Sequence, residues 1–169
     1  LAECGFFNQE NLFDHYQNGS KMSGHVSHYV EGVEVSTGSL GTGLGVSCGI
    51  ALALKLQNKT SKVFCLLSDG ELNEGSTWEA IMFSAHHSLS NLFFIIDKNN
   101  LQSIKSTSET LNMGDLRKKF LSFNINTLEC DGHNHAELKK SLLSFHESKP
   151  TVLISNTIKG KGVKFMENN

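Results

Sequence analysis

The chain has 169 residues, with 15 Lys and Arg against 17 Asp and Glu and a formal net charge of −2. That length suits one domain with a substantial core. The near-neutral balance gives no electrostatic case for nucleic acid or an anionic membrane surface, and no apolar run reaches the roughly 18 residues expected of a membrane span.

In Leu1–Met22, Asn8 or Asn11 is placed to cap a short helix carrying Leu12, Phe13 and Tyr16. Ser23–Ser36, SGHVSHYVEGVEVS, has no steady period and reads as a loop, in which His25 and His28 are surface residues on residue type alone. Thr37–Leu56 follows, with glycines at 38, 41, 43, 45 and 49 that allow a tight turn and then a closely packed helix. Val46, Ile50, Leu52, Leu54 and Leu56 are expected to fill the core, and Gly45 and Gly49 to serve helix packing. Gly41-x-Gly43-x-Gly45 superficially resembles a dinucleotide-binding loop, but that fingerprint requires a preceding strand and a polar loop stands there instead.

The stretch from Val63 to Leu101 is the most informative. Val63–Leu67 and Leu92–Ile96 are short apolar runs suited to buried parallel strands. Gly75–His87 between them sets Trp78, Ile81, Met82 and Ala85 on one helix face. The result is a βαβ unit whose two polar turns both follow strand C-termini, the edge where open parallel sheets bind ligands. Asp69-Gly70 and Asn99-Asn100 are therefore expected to meet. A carboxylate and an amide oxygen can approach one cation there, while Gly70 lets backbone N–H groups come close to a phosphate. The arrangement reads as a magnesium-diphosphate cradle. Taken alone, Asp69 reads equally well as a helix cap, and Glu74 as a first-turn acid favoured by the helix dipole. His86 and His87 read as solvent-side residues.

Gln102–Phe123 reads as a polar loop and a short helix begun by Asp115, with Leu116, Phe120 and Leu121 on its apolar side. Asn126–Cys130 is a third strand, and Asp131-Gly132-His133 follows its end. His135–Ser148 is expected as a helix burying Leu138, Leu142, Leu143 and Phe145, and Thr151–Asn156 as a fourth parallel strand. In Thr157–Val163, TIKGKGV, Lys159 and Lys161 either meet a phosphate as point charges or stay solvated. Cys4, Cys48, Cys65 and Cys130 are scattered with no C-x-x-C pair, which points to reduced thiols in a cytoplasmic protein. No basic-then-apolar leader opens the chain.

Asp69-Gly70 with Asn99-Asn100 is similar to the thiamine diphosphate signature. The stretches GVEVSTGSLGTGLG, DGELNEGSTWEA, CDGH and KGKGVKFMENN, in that order, resemble the N-terminal half of transketolases. The likeness is greatest to the separately encoded N-terminal subunit of two-chain bacterial transketolases. It implies a three-layer α/β/α thiamine diphosphate-binding fold with a mainly parallel central sheet. Residues 1–169 would form a single diphosphate- and magnesium-binding domain, incomplete at both ends relative to the family. The resemblance gives catalytic roles to His25, on the substrate and diphosphate side, and to Glu74, paired with the partner's catalytic glutamate. It sets Gly38 and Leu40 against the aminopyrimidine and diphosphate. Asp69, Gly70, Asn99 and Lys159 join the cofactor site, and Asp69, Asn99 and the Leu101 carbonyl are the Mg²⁺ ligands. The Asp131-Gly132-His133 turn is expected to be mainly structural. Two departures stand out: Gly24-His25-Val26 where the family has Gly-His-Pro, and Ser68-Asp69-Gly70 where it has Gly-Asp-Gly.

The implied activity is transfer of a two-carbon ketol unit from a ketose to an aldose, with sugar phosphates as substrates. It would require a separate pyrimidine-binding C-terminal subunit, in an expected heterotetramer, the chain being inactive alone. Two other readings stay open. One is a subunit of another thiamine diphosphate enzyme, a 2-oxoacid decarboxylase or dehydrogenase or a deoxyxylulose-phosphate-type synthase, against which VEVSTGSLG and KGKGV argue. The other is a degenerate, non-catalytic partner-binding subunit, for which Ser68 and the absence of the family's flanking His segments argue.

Overall fold

Runs of β-branched and aromatic residues form four strands in the computed structural model, which describes residues 1–168: β1 (Val63–Ser68), β2 (Leu92–Lys98), β3 (Asn126–Asp131) and β4 (Thr151–Asn156). They pair in the order β1-β2-β4-β3, and all three pairings are parallel. The helices are α1 (Gly43–Leu56), α2 (Gly75–His86), α3 (Thr107–Leu111), α4 (Leu116–Ser122) and α5 (His135–Leu142). Strand alternation sends Leu92, Phe94 and Ile96 to one face of the sheet, where they meet α1, α2 and α4 through Leu44, Cys48, Ile81 and Phe120. Phe93 and Leu153 point to the opposite face and pack with Leu138, Leu142 and Phe145 around α5. The fold is α/β, a parallel sheet flanked by helices. No helix among the described residues is long and apolar enough to cross a membrane. Asn169, the last residue of the KGKGVKFMENN stretch, lies outside the described residues.

The chain divides into two compact units, Leu1–Leu40 and Gly41–Asn169. All the strands and α-helices belong to the second. In the first, Asn8 accepts the Glu10 N–H at 3.1 Å and starts a 3-10 helix, Gln9–Asp14. That helix ends before Tyr16, which takes a left-handed φ of 61°, and Leu12, Phe13 and Tyr16 are all exposed.

Four expectations about helix faces need correction. In α1 the buried residues are Leu44, Cys48 and Ala51, with Leu52 packed against them, while Val46, Ile50 and Leu56 are exposed. Helical spacing admits both stripes, and the one that begins at Leu44 faces the sheet. A Cβ at Gly45 or Gly49 would meet nothing within 4 Å, so neither is needed for packing within this chain. In α2, Ile81 is buried and Trp78 and Ala85 pack at the margin, but Met82 is exposed and its place in the core is taken by Thr77, Ala80 and Ser84. In α4, Leu116 and Phe120 are buried but Leu121 is exposed. The helix expected to reach Ser148 ends at Leu142, leaving Leu143 exposed. Phe145 leaves the helical path to stack edge-on against Phe93 and Phe64, with centroids 5.2 and 5.6 Å away. Two aromatic contacts outweigh one more helical turn.

Candidate functional site

Parallel pairing of β1 with β2 sets Ser68 beside Asp97, so the turns that leave both strands emerge together. Asp69 follows Ser68 and opens a short 3-10 helix, Gly70–Asn73. The cap reading of Asp69 does not hold: its side chain makes no cap bond. The Ser68 hydroxyl does that work, accepting the Glu71 N–H at 3.1 Å. Asp69 reaches across instead, and its Oδ2 accepts the Asn100 N–H at 2.6 Å. Asn100 is held at a left-handed φ of 62°, which asparagine tolerates. The Asn99 side chain accepts the Leu101 N–H at 2.9 Å. A second link joins the two turns, from the Gln102 amide to Asn73 Oδ1 at 2.6 Å. A Cβ at Gly70 would stand 3.1 Å from Gln102 Cγ, so the glycine permits that close approach.

Asp69 is 4% exposed, and its second oxygen, Oδ1, is buried with no hydrogen-bond partner. Burial pushes its carboxyl above the ordinary value, the Asn100 N–H opposes the rise, and nearby Asp97 adds to it. An orphaned carboxylate oxygen in such a place is costly unless a cation or proton meets it. Among the described residues no cluster of three or more His, Cys, Asp or Glu could hold a metal. A magnesium ion here would therefore take one carboxylate, neutral oxygens from Asn99 and the Leu101 backbone, and oxygens of its ligand. That donor set suits Mg²⁺, which binds through few carboxylates together with phosphate and water.

Lys159 is exposed on the turn after β4. It shares a cavity of about 640 Å³ with Asn99, His133 and Lys161, over an apolar floor that includes Leu66 and Ile95. Glu74 is exposed at the N-cap of α2 and makes no cap bond. His25, Gly38 and Leu40 belong to the first unit. Gly38 has a φ of +133°, and a Cβ there would run into the His25 ring, so the glycine makes room for the imidazole. Leu40 is exposed. His28 is exposed as expected, and its Nδ1 lies 2.6 Å from the Ser36 hydroxyl.

One residue of this region escaped the sequence reading. Glu71 is 7% exposed, and its carboxylate accepts the Gly41 N–H at 2.9 Å. The Ser76 hydroxyl donates to the Gly41 carbonyl at 2.9 Å, so the Gly41 peptide is held on both sides. Gly41 has a φ of 84°, and a Cβ would collide with Ser76 and Glu74. The only available signal was an acid beside an apolar residue in a turn, which more often marks solvent exposure.

Residues 5–169 match the family described as "Transketolase, thiamine diphosphate binding domain". Similar relatives include a protein of Actinobacillus succinogenes named as one subunit of an apulose-4-phosphate transketolase, 41% identical over 99% of this chain and 61% of its own length. Its namesake from Phocaeicola vulgatus is 39% identical over 99% of this chain and 60% of its length. The chain thus spans about three fifths of these relatives. Among solved structures, transketolase from Campylobacter jejuni superposes with a TM-score of 0.82 at 30% identity, covering 94% of this chain and 27% of that one.

Proposed function

The chain belongs to the transketolase N-terminal, thiamine diphosphate-binding family, and on that premise we propose that it holds the magnesium-bound diphosphate of thiamine diphosphate for ketol transfer between sugar phosphates. The observation that carries the proposal is the buried, unpartnered Oδ1 of Asp69 beside the Asn99–Leu101 turn. Asp69, Asn99 and the Leu101 carbonyl hold Mg²⁺, and Gly70 and Lys159 meet the diphosphate. Ser68 supports competence rather than degeneracy, because its hydroxyl caps the 3-10 turn and leaves Asp69 free. Gly38 and Leu40, which belong to the first unit, are proposed to meet the rest of the cofactor.

When bound, thiamine diphosphate supplies the electron sink for breaking the bond beside a ketose carbonyl. The chain's residues bind and orient. His25 donates a hydrogen bond to a phosphate or hydroxyl of the substrate, a role suited to imidazole near neutral pH. Glu74, exposed at the start of α2, is available to a carboxyl of a separate pyrimidine-binding subunit. The relatives' names, each denoting one subunit of an apulose-4-phosphate transketolase, support both a sugar phosphate donor and a partner chain in a heteromer. The reduced, scattered thiols support a cytoplasmic setting.

Calorimetric titration with thiamine diphosphate, with and without MgCl₂ and with and without a candidate partner subunit, tests this. Magnesium-dependent binding that Asp69→Ala abolishes is expected, with turnover of a ketose donor only when the partner is added. Absence of binding under every condition overturns the cofactor reading; turnover by the chain alone overturns the partner requirement.

A further inference from the structure

Parallel pairing of β3 with β4 ends at Asp131 beside Asn156, yet the cross-links continue past the strands. The Gly132 N–H donates to the Asn156 carbonyl at 2.8 Å. The next rung is unusual: the Ile158 N–H donates to Nε2 of His133 at 2.8 Å, so an imidazole stands where a backbone carbonyl would be. A Cβ at Gly132 would collide with the Ser155 hydroxyl and the Thr157 methyl, so only glycine lets the two turns lie this close. The His133 N–H donates to Asp131 Oδ1 at 2.8 Å, and the Asp131 N–H to Glu137 Oε2 at 3.1 Å, which fixes the backbone that carries the ring. From the other side, the Thr157 N–H donates to the Lys98 carbonyl at 3.0 Å, and the Thr157 hydroxyl to the Asp97 carboxylate. Residues 157 and 158 are thereby gripped from both neighbouring strands just before Lys159.

We propose that His133 is a positioning residue: its Nε2 fixes the backbone of the Lys159 turn so that the lysine meets an anionic diphosphate at the sheet edge. The inference rests on the diphosphate reading above. A lysine on an unfixed turn loses backbone as well as side-chain freedom when it meets a phosphate, and a turn ordered beforehand removes the backbone share of that cost. An Nε2 that accepts carries no proton, so the ring proton sits on Nδ1.

The test compares His133→Ala, which has no acceptor, with His133→Gln, whose amide oxygen retains one, in otherwise intact chain. Hydrogen exchange at the Ile158 amide and calorimetric affinity for thiamine diphosphate or inorganic pyrophosphate with magnesium are the readouts. One lost hydrogen bond corresponds to about a fivefold effect, so His133→Ala is expected to speed Ile158 exchange and weaken affinity by roughly that factor. His133→Gln restores both to within about twofold, and in a Lys159→Met background His133→Ala causes no further loss of affinity. Unchanged exchange at Ile158, or an equal affinity loss when Lys159 is already replaced, overturns the inference. Binding of neither probe by the unmodified chain, with or without the candidate partner subunit, overturns the diphosphate reading, and this inference with it.

Discussion

Leu1–Leu40 contains one short 3-10 helix and no buried residue, whereas the unit that begins at Gly41 carries the parallel sheet and a core including Phe93, Phe94, Phe120 and Ile154. In the larger unit, apolar burial fixes where side chains go. In the smaller one, position depends on local hydrogen bonds, such as Thr37 N–H to the Val26 carbonyl at 3.0 Å, and on glycines at positive φ. Residues proposed for one function are thus held by two kinds of force. Stability measurements sense substitutions in the larger unit strongly and those in the smaller one weakly.

The sharpest way to break that contrast is a matched pair of phenylalanines. Phe94 is fully buried in β2, with its ring 5.9 Å from Phe120, and Phe94→Ala removes that packing. A loss of about 3–5 kcal/mol is expected in chemical denaturation. Phe13 is 84% exposed, and Phe13→Ala is expected to change stability by less than about 0.5 kcal/mol. Comparable losses from the two would show that Phe13 is packed as Phe94 is, against its exposure.

A second substitution separates fold from function within the larger unit. Asp69→Asn retains an acceptor for the Asn100 N–H but removes a buried charge whose Oδ1 has no partner. Ligand-free stability is expected to hold or rise. Thiamine diphosphate with magnesium at about a hundred times its dissociation constant should stabilise the unmodified chain by about 2.7 kcal/mol, and the variant not at all. Destabilisation of the ligand-free variant would mean that Asp69 serves the fold rather than a cation.

Thiols report the same division at smaller scale. Burial pushes the Cys48 thiol up to about 12 from its ordinary 9.0, and nearby Cys65 adds to the rise. Because the folded value lies above the unfolded one, the contribution to stability is complete below about pH 9 and is lost as pH rises toward 12. The fall is at most about 1.4 kcal/mol per pH unit, and Cys48→Ala should make it shallower in denaturation measured across that range. Cys4 is exposed, so native-state alkylation at pH 8 should modify it well before Cys48.

Elements fixed by burial were legible in the residues themselves. The apolar runs that became β1 and β2 carry their own signal, and their parallel pairing brings the turns after Ser68 and Lys98 together, which is why Asp69 and Asn99 were anticipated as neighbours. Periodicity was less help where two stripes compete, as in α1, because spacing names a helix face without saying which one is covered. Glu71 was invisible because its burial depends on a backbone N–H thirty residues earlier in the chain. The His133 ring likewise meets a peptide beyond the next strand, a pairing that no local pattern encodes. Phe145 left its helix for partners on β1 and β2. In the smaller unit, hydrophobic pattern offered nothing, and only the family resemblance singled out His25, Gly38 and Leu40.

The smallest expected change in stability falls on that smaller unit. His25→Ala removes an exposed ring, so denaturation should move by less than about 0.5 kcal/mol. Gly38→Ala places a methyl group against the same ring at a φ of +133°, which displaces the imidazole without altering any residue of the buried core. If His25 contributes a hydrogen bond to the substrate, both variants should lower kcat/KM, measured with a ketose phosphate donor and the partner subunit present, by about tenfold. The two need to agree: a loss for His25→Ala with none for Gly38→Ala would mean that the ring acts without being held in place, and no loss for either would remove His25 from the reaction while leaving the Asp69 site untouched.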